Sequence, residues 1–233
     1  MVQGEWYHNI NEQEFGCLLY AAAGVDCASD CPAELMPLWV AETTPVLYDR
    51  LALDDAREIS RRYAELIGRW HVITDDGWDR VLARYLVKLI DQALDAVPEI
   101  AKNQPYWAAI EKAASDCKQA ILTRDKNAAA IADRAVLASV ASRADYDDYT
   151  ARAAAYAGHV ASLASRAAYY DAIAYIYTTA NHAASAAIAA CDIYTKRSPY
   201  DESAAYDVLN AAKSLFTALL DEIENEILAT SQT

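Results

Sequence analysis

"ASLASRAAYYDA" (Ala161–Ala172) repeats "ASVASRADYDDY" (Ala138–Tyr149) at an offset of 23 residues. The same offset leads on to Ala184–Ser185, the start of a weaker third copy. A unit of 23 residues provides one helix of about 30 Å and a tight turn. The repeat therefore predicts antiparallel helices whose turns fall near residues 145–148 and 169–171, where aspartates can cap the following helix.

The sequence around this repeat is made of good helix formers. Alanine, which has the best helix propensity, supplies 26 of the 63 residues from 128 to 190. Between Tyr106 and Ser198 the chain contains no proline and one glycine, Gly158. No segment shows the sustained polar–apolar alternation that indicates a strand. We therefore predict an all-α protein, a multi-helix bundle of antiparallel helices with an Ala/Tyr-rich helical repeat of about 23 residues.

Capping residues and apolar stripes predict further helices on both sides of the repeat. Residues 53–68 start on aspartates and end on a glycine, and residues 74–97 carry apolar side chains at helical spacing. Residues 198–228 form the clearest amphipathic pattern. We predict an N-terminal helical region, 1–72, and an Ala-rich helical bundle, 73–233, with one continuous domain as the alternative.

The charge of the chain restricts its partners. Twenty basic and 34 acidic residues give a net charge of −14. Such a chain is repelled by nucleic-acid phosphates and by anionic membrane surfaces, so we expect neither as a direct partner. The charge fits a protein partner with a basic surface, mimicry of a nucleic acid, or simple solubility.

The cysteines and the start of the chain indicate a compartment. The five cysteines are odd in number and scattered, and "MVQGEWYHNI" has neither the basic start nor the apolar run of a signal peptide. No run of about 18 apolar residues predicts a membrane span. We expect reduced thiols and a location in the cytoplasm, that of a bacterial host.

Two histidines are the best candidates for chemistry. His159 and His182 are related by the 23-residue offset and could face each other across a hairpin. No companion motif with metal-ligand spacing accompanies them, so we expect structural histidines, no metal and no cofactor. The alternative is a pocket, lined also by Arg143, Arg152 and Arg166, that sequesters or acts on a nucleotide signal. The chain has no phosphate-binding loop and no hydrolase motif, and we therefore predict that it is not an enzyme.

The helix ends and the last helix offer a binding surface. Tyrosine gives a large contact area at low entropic cost. The last predicted helix ends in "LLDEIENEIL", where carboxylates face the negative end of the helix dipole. An acidic binding patch and a frayed, solvated tail explain this equally well. The candidate partner-binding residues are Tyr146, Asp147, Asp148, Tyr149, Tyr169, Tyr170, Asp171, Asp221, Glu222, Glu224 and Glu226.

Three segments carry a resemblance to a known family. They are "GWDRVLARYLVKLIDQAL", "AAIEKAASDC" and "ANHAASAAIAAC", within residues 77–191. This part of the chain resembles the alanine-rich helical immunity-protein sequences (Imm-5-like) of phage and bacterial genomes. The resemblance implies a non-enzymatic inhibitor of a bacterial defence system, anti-CRISPR-like, or a toxin-immunity protein. Its partner would be a nuclease, a defence effector or a toxin, and a homo-oligomer is possible.

Overall fold

The computed structural model describes residues 18, 24, 28–48, 51–97, 99–141, 149–170 and 202–232. Within these residues the protein contains eight α-helices, two short 3-10 helices and no strand, which confirms the predicted all-α class. The α-helices are α1 (Leu38–Tyr48), α2 (Leu53–Ile67), α3 (Asp75–Asp95), α4 (Glu99–Lys102), α5 (Trp107–Thr123), α6 (Lys126–Ala141), α7 (Tyr149–Tyr170) and α8 (Glu202–Thr230). The 3-10 helices are Ala28–Asp30 and Trp70–Val72.

The chain divides into two compact units. The first unit is Met1–Leu82 with Ala212–Thr233, and the second unit is Ala83–Ala211. This division differs from the predicted 1–72 and 73–233, because most of α8 belongs with the N-terminal residues. The Phe216 ring of α8 packs edge-on against Tyr63 of α2, with 6.1 Å between ring centroids, and both residues are fully buried.

The core of the first unit contains a connected group of aromatic side chains. Beyond the Tyr63–Phe216 pair, Tyr63 contacts Trp70 with 5.1 Å between ring centroids, and Trp70 contacts Trp78 with 5.6 Å. Trp39 of α1 contacts Trp78 with 6.3 Å. All of these pairs are T-shaped, an arrangement that contributes about 0.5–1.5 kcal/mol per pair beyond the burial of the rings. A chain of edge-to-face contacts thus joins α1, α2, the 3-10 helix at Trp70, α3 and α8.

In the second unit, small residues make up much of the helix packing. Helices α5, α6 and α7 pack on one another. The buried positions of α6 and α7 are mostly alanine: Ala129, Ala132, Ala154, Ala157, Ala161, Ala164 and Ala167. Such side chains let helix backbones approach closely, and the Ser165 hydroxyl of α7 donates a hydrogen bond to the Ala129 carbonyl of α6 at 2.8 Å.

The repeat region begins after a sharp turn between α5 and α6. Arg124 ends α5 in the left-handed conformation (φ 54°), and the Asp125 carboxylate caps α6 by accepting the Asn127 and Ala128 backbone N–H groups. Helix α7 covers Tyr149–Tyr170, 22 residues, and the turn predicted near residues 169–171 stays a prediction. Residues 142–148 and 171–201, with the other predicted turn and the third copy, lie outside the described residues.

Gly77 gives a test of packing in the first unit. A Cβ at Gly77 would lie 2.9 Å from Ile73 Cγ2 and 3.2 Å from Glu226 Oε1. We expect Gly77→Ala to lower the free energy of unfolding by about 1–2 kcal/mol, because overpacking costs about 1–3 kcal/mol and outweighs a helix-propensity gain of about 1 kcal/mol. Urea unfolding measures the change. Gly68→Ala is the matched control, since nothing lies within 4 Å of a Cβ there, and equal losses in both variants would contradict the assignment.

Candidate functional site

Three cations in the first unit each hold two carboxylates. The Arg62 guanidinium of α2 lies 2.6 Å from Asp221 Oδ1 and 2.7 Å from Glu224 Oε2 of α8. Because one positive charge faces two negative charges, this cluster keeps a net negative charge.

The second cluster is centred on Arg80 of α3. Its Nε and Nη2 atoms donate to Glu226 Oε1 at 3.2 and 2.6 Å, and its Nη1 atom also pairs with Asp76. The Glu226 carboxylate is buried, with 3% of the residue exposed. The hydrogen bond to Glu226 raises the pKa of the Arg80 guanidinium, which keeps the cation charged beside this buried acid.

The third cluster is centred on Lys213 of α8. Its ammonium lies 2.7 Å from Asp55 Oδ1 and 3.0 Å from Glu58 Oε2, both on α2, and the hydrogen bonds to Asp55 and then Glu58 raise the pKa of Lys213. Since Lys213 pairs near the start of α2 and the later residues Asp221 and Glu224 pair with Arg62, α2 and α8 run parallel within the first unit.

The four acidic residues near the C-terminal end of α8 therefore have different environments. Glu222 and Glu226 are buried, whereas the Asp221 side chain is 53% exposed and that of Glu224 is 40% exposed. Helix α8 continues to Thr230, so the interpretation of this segment as a frayed tail is wrong. The apolar face of α8 packs into the first unit, and Glu222 and Glu226, which lie beside this face, are buried with it. Asp221 and Glu224 keep substantial exposure for a partner.

The negative charge of the chain is concentrated in the first unit. Its residues include 19 acids and 7 bases, a net charge of −12, whereas the second unit has 15 acids and 13 bases, a net charge of −2. The division predicted from the sequence places the last helix in the Ala-rich bundle, and that division does not show this asymmetry. A charge count for each compact unit reveals it.

The second unit contains a partly buried polar cluster around Asp133 of α6. The Ser162 hydroxyl donates to Asp133 Oδ1, and Arg166 Nε lies 3.1 Å from Asp133 Oδ2, so that two groups of α7 bind one carboxylate. Nearby, burial raises the pKa of the Cys117 thiol to about 12, and its hydrogen bond with Ser165 acts in the opposite direction. Arg166, a candidate nucleotide ligand, is thus engaged by a carboxylate of its own chain.

The chemistry available to this cluster is limited. The Cys117 thiol is fully buried and protonated at neutral pH, and the Ser162 and Ser165 hydroxyls are committed to hydrogen bonds within the helix pair. Among the residues that the structure describes, no group of three or more His, Cys, Asp or Glu side chains could hold a metal ion. In the same residues, no helix is long and apolar enough to cross a membrane.

The remaining predicted site residues fall in or around α7. Tyr149 and Tyr170 are its first and last residues, about 32 Å apart along the helix axis, so α7 does not bring the two groups of tyrosines into one patch. Arg152 and Tyr169 also belong to α7, and His159 is half-buried in its middle. Outside the described residues lie Arg143, Tyr146, Asp147, Asp148, Asp171 and His182. Whether the two histidines meet therefore stays a prediction.

Comparison with known proteins adds no relative to this description. No protein-family model matches the chain, and no curated protein or solved structure matches it. The resemblance to immunity-protein sequences consequently stays an expectation.

The buried glutamate and its exposed neighbour provide a matched pair of variants. We expect Glu226→Gln to lower the melting temperature by about 3–6 °C, because Arg80 loses its buried carboxylate partner. Asp221→Asn should change it by about 1 °C or less, since exposed ion pairs contribute little. Thermal unfolding followed by circular dichroism measures both. A larger effect of Asp221→Asn would show that the exposed pair, not the buried one, holds α8.

The Cys117 thiol predicts a loss of stability in alkali. Its pKa is about 12 in the folded protein and 9.0 when unperturbed, so the folded state holds the proton more tightly. This contribution is complete below pH 9 and is lost as the pH rises toward 12. At pH 10.5 the wild type should have lost about 2 kcal/mol that Cys117→Ala does not lose, relative to pH 8. Urea unfolding at the two pH values measures the difference, and parallel losses in both proteins would refute the assignment.

Proposed function

We propose that this chain is a non-enzymatic binding protein whose first unit captures a protein partner with a basic surface. The observation that carries the proposal is the concentration of charge: a net −12 of the chain's −14 belongs to the first unit. Fields of this kind attract an oppositely charged partner and speed its association.

The ion pairs within the first unit leave this field in place. Arg62, Arg80 and Lys213 each serve two carboxylates, so each cluster retains a negative charge. Other carboxylates, among them Glu34 and Glu65, are exposed. A partner with several arginines or lysines can therefore gain charge interactions without breaking the pairs that hold α8.

The second unit supports a binding role more than a catalytic one. The thiol of Cys117 is protonated and buried, and Asp133 binds both Ser162 and Arg166. The engagement of Arg166 also weakens the alternative of a nucleotide pocket. The second unit acts in this proposal as a scaffold.

The class of partner comes from the resemblance to immunity-protein sequences. On that basis the partner is a nuclease, a defence effector or a toxin, and the chain is a phage or mobile-element inhibitor, or an immunity protein, in the bacterial cytoplasm. Blocking such a partner requires only a stable complex over its working surface, which suits a chain of this charge.

Two charge-neutralised variants test this proposal. A partner is captured from host lysate on the immobilised chain and purified, and its kinetics are measured by surface plasmon resonance at 50 and 500 mM salt. We expect Glu34→Gln/Glu65→Gln, in the first unit, to slow association about three- to tenfold at low salt, and high salt to remove the difference.

The control is Asp95→Asn/Glu111→Gln, which neutralises two exposed acids of the second unit. It should leave association within about twofold of the wild type, since it lies in the nearly neutral unit. Equal slowing by both double variants, or binding that is independent of salt, would refute capture by the first unit.

A further inference from the structure

Trp78 is a half-buried indole held in a fixed orientation. Its ring makes T-shaped contacts with Trp39 of α1 and with Trp70, at interplanar angles of 81° and 82°. Both of these tryptophans are buried, at 6% and 1% exposure, whereas Trp78 keeps part of its surface in solvent. Two buried partners thus fix the plane of a ring that remains accessible.

An acidic residue lies about one helical turn from Trp78 on α3 and from Trp39 on α1. Asp75 is exposed and precedes Trp78 by three residues on α3, and Glu42 is half-buried and follows Trp39 by three residues on α1. Residues three apart on a helix lie on the same side of that helix, so each of these two tryptophans shares a helix side with an acid. We call the set of Trp39, Glu42, Asp75 and Trp78 the Trp78 platform.

The nearest cation in the sequence is already occupied. Arg80 of α3 pairs with Glu226 and Asp76. These pairs offset the charge of Arg80 within the unit. A cation from a partner therefore does not compete with Arg80 for Asp75.

We infer that the Trp78 platform docks an arginine side chain of the basic partner, an inference that rests on the proposed function. The face of an indole attracts a cation, and tryptophan does so best among the aromatic residues. A guanidinium is flat, stacks on such a face and presents donors that match a carboxylate, whereas the lysine ammonium is a point charge with a stronger hydration shell.

The surroundings select this partner chemistry over others. The unit that carries the platform has a net charge of −12, which repels phosphates and other anions. An apolar side chain over Trp78 would remove Asp75 or Glu42 from water without giving the carboxylate a partner. This desolvation costs free energy. An arginine can stack on the ring and pair with a carboxylate at the same time. Tryptophan and arginine are also the residues that most often dominate binding energy at interfaces.

Synthetic nona-arginine and nona-lysine peptides test the inference directly. Fluorescence anisotropy of labelled peptides at low salt gives the dissociation constants. We expect the wild type to bind nona-arginine about three- to tenfold more tightly than nona-lysine. Trp78→Phe, which keeps an aromatic ring with a weaker quadrupole, should reduce this ratio by about two- to fivefold, mainly through nona-arginine.

Three further variants complete the design. Asp75→Asn should also lower the preference for arginine, and it keeps the inference testable if Trp78→Phe unfolds, because Asp75 is exposed. Trp107→Phe, a tryptophan of the second unit, should leave the ratio unchanged and controls for loss of an indole. Glu34→Gln/Glu65→Gln should weaken both peptides equally, since it changes only the field of the first unit.

The outcomes separate the two proposals. An arginine preference that falls in both Trp78→Phe and Asp75→Asn supports the platform. Peptide binding that persists in these folded variants with an unchanged ratio overturns the platform and leaves capture by the first unit standing. If neither peptide binds the wild type more tightly than it binds Glu34→Gln/Glu65→Gln, both proposals are overturned.

Discussion

The first unit depends on the burial of Glu226 beside Arg80. A carboxylate that is removed from water needs a cation and hydrogen bonds to offset the loss of hydration, and Arg80 provides two N–H donors. This pairing requires the first turn of α3 to approach α8, and Gly77 permits the approach because it has no Cβ. Trp78 is the next residue, so the turn that buries Glu226 also positions the indole against Trp39 and Trp70.

The second unit has a different constraint, because the packing between its alanine-rich helices is similar all along their length. Helix faces made of alanine are nearly smooth. Apolar packing alone therefore selects a single register only weakly at an interface such as that of α6 and α7. Asp133 is satisfied by Ser162 and Arg166, and Ser165 binds the Ala129 carbonyl. These bonds form together in one antiparallel register, and a shift of one residue would leave buried polar groups unpaired. The polar cluster therefore accounts for a single arrangement of helices that otherwise differ little along their length.

The two units have different roles in the proposed function. The nearly neutral, Ala-rich second unit is held by apolar contacts and a few internal polar bonds. The first unit carries the excess negative charge, and three of its cations each bind two carboxylates. An excess of like charge lowers the stability of a compact unit through repulsion. The aromatic core, with its T-shaped contacts through Tyr63 and Trp70, offsets that cost and leaves the surface charge available to a partner.

Local sequence signals specify the helical class and several helix limits. The aspartates at the start of α3, the glycine after α2 and the apolar stripe of α8 act over a few residues, and the helices lie where these signals place them. Tertiary structure alone decided which carboxylates are buried and where the charge is concentrated. Arg62 and Glu224 are 162 residues apart in the chain, and no local pattern records their pairing. Helix formation depends on near neighbours along the chain, whereas the environment of a charge depends on whatever the fold brings beside it.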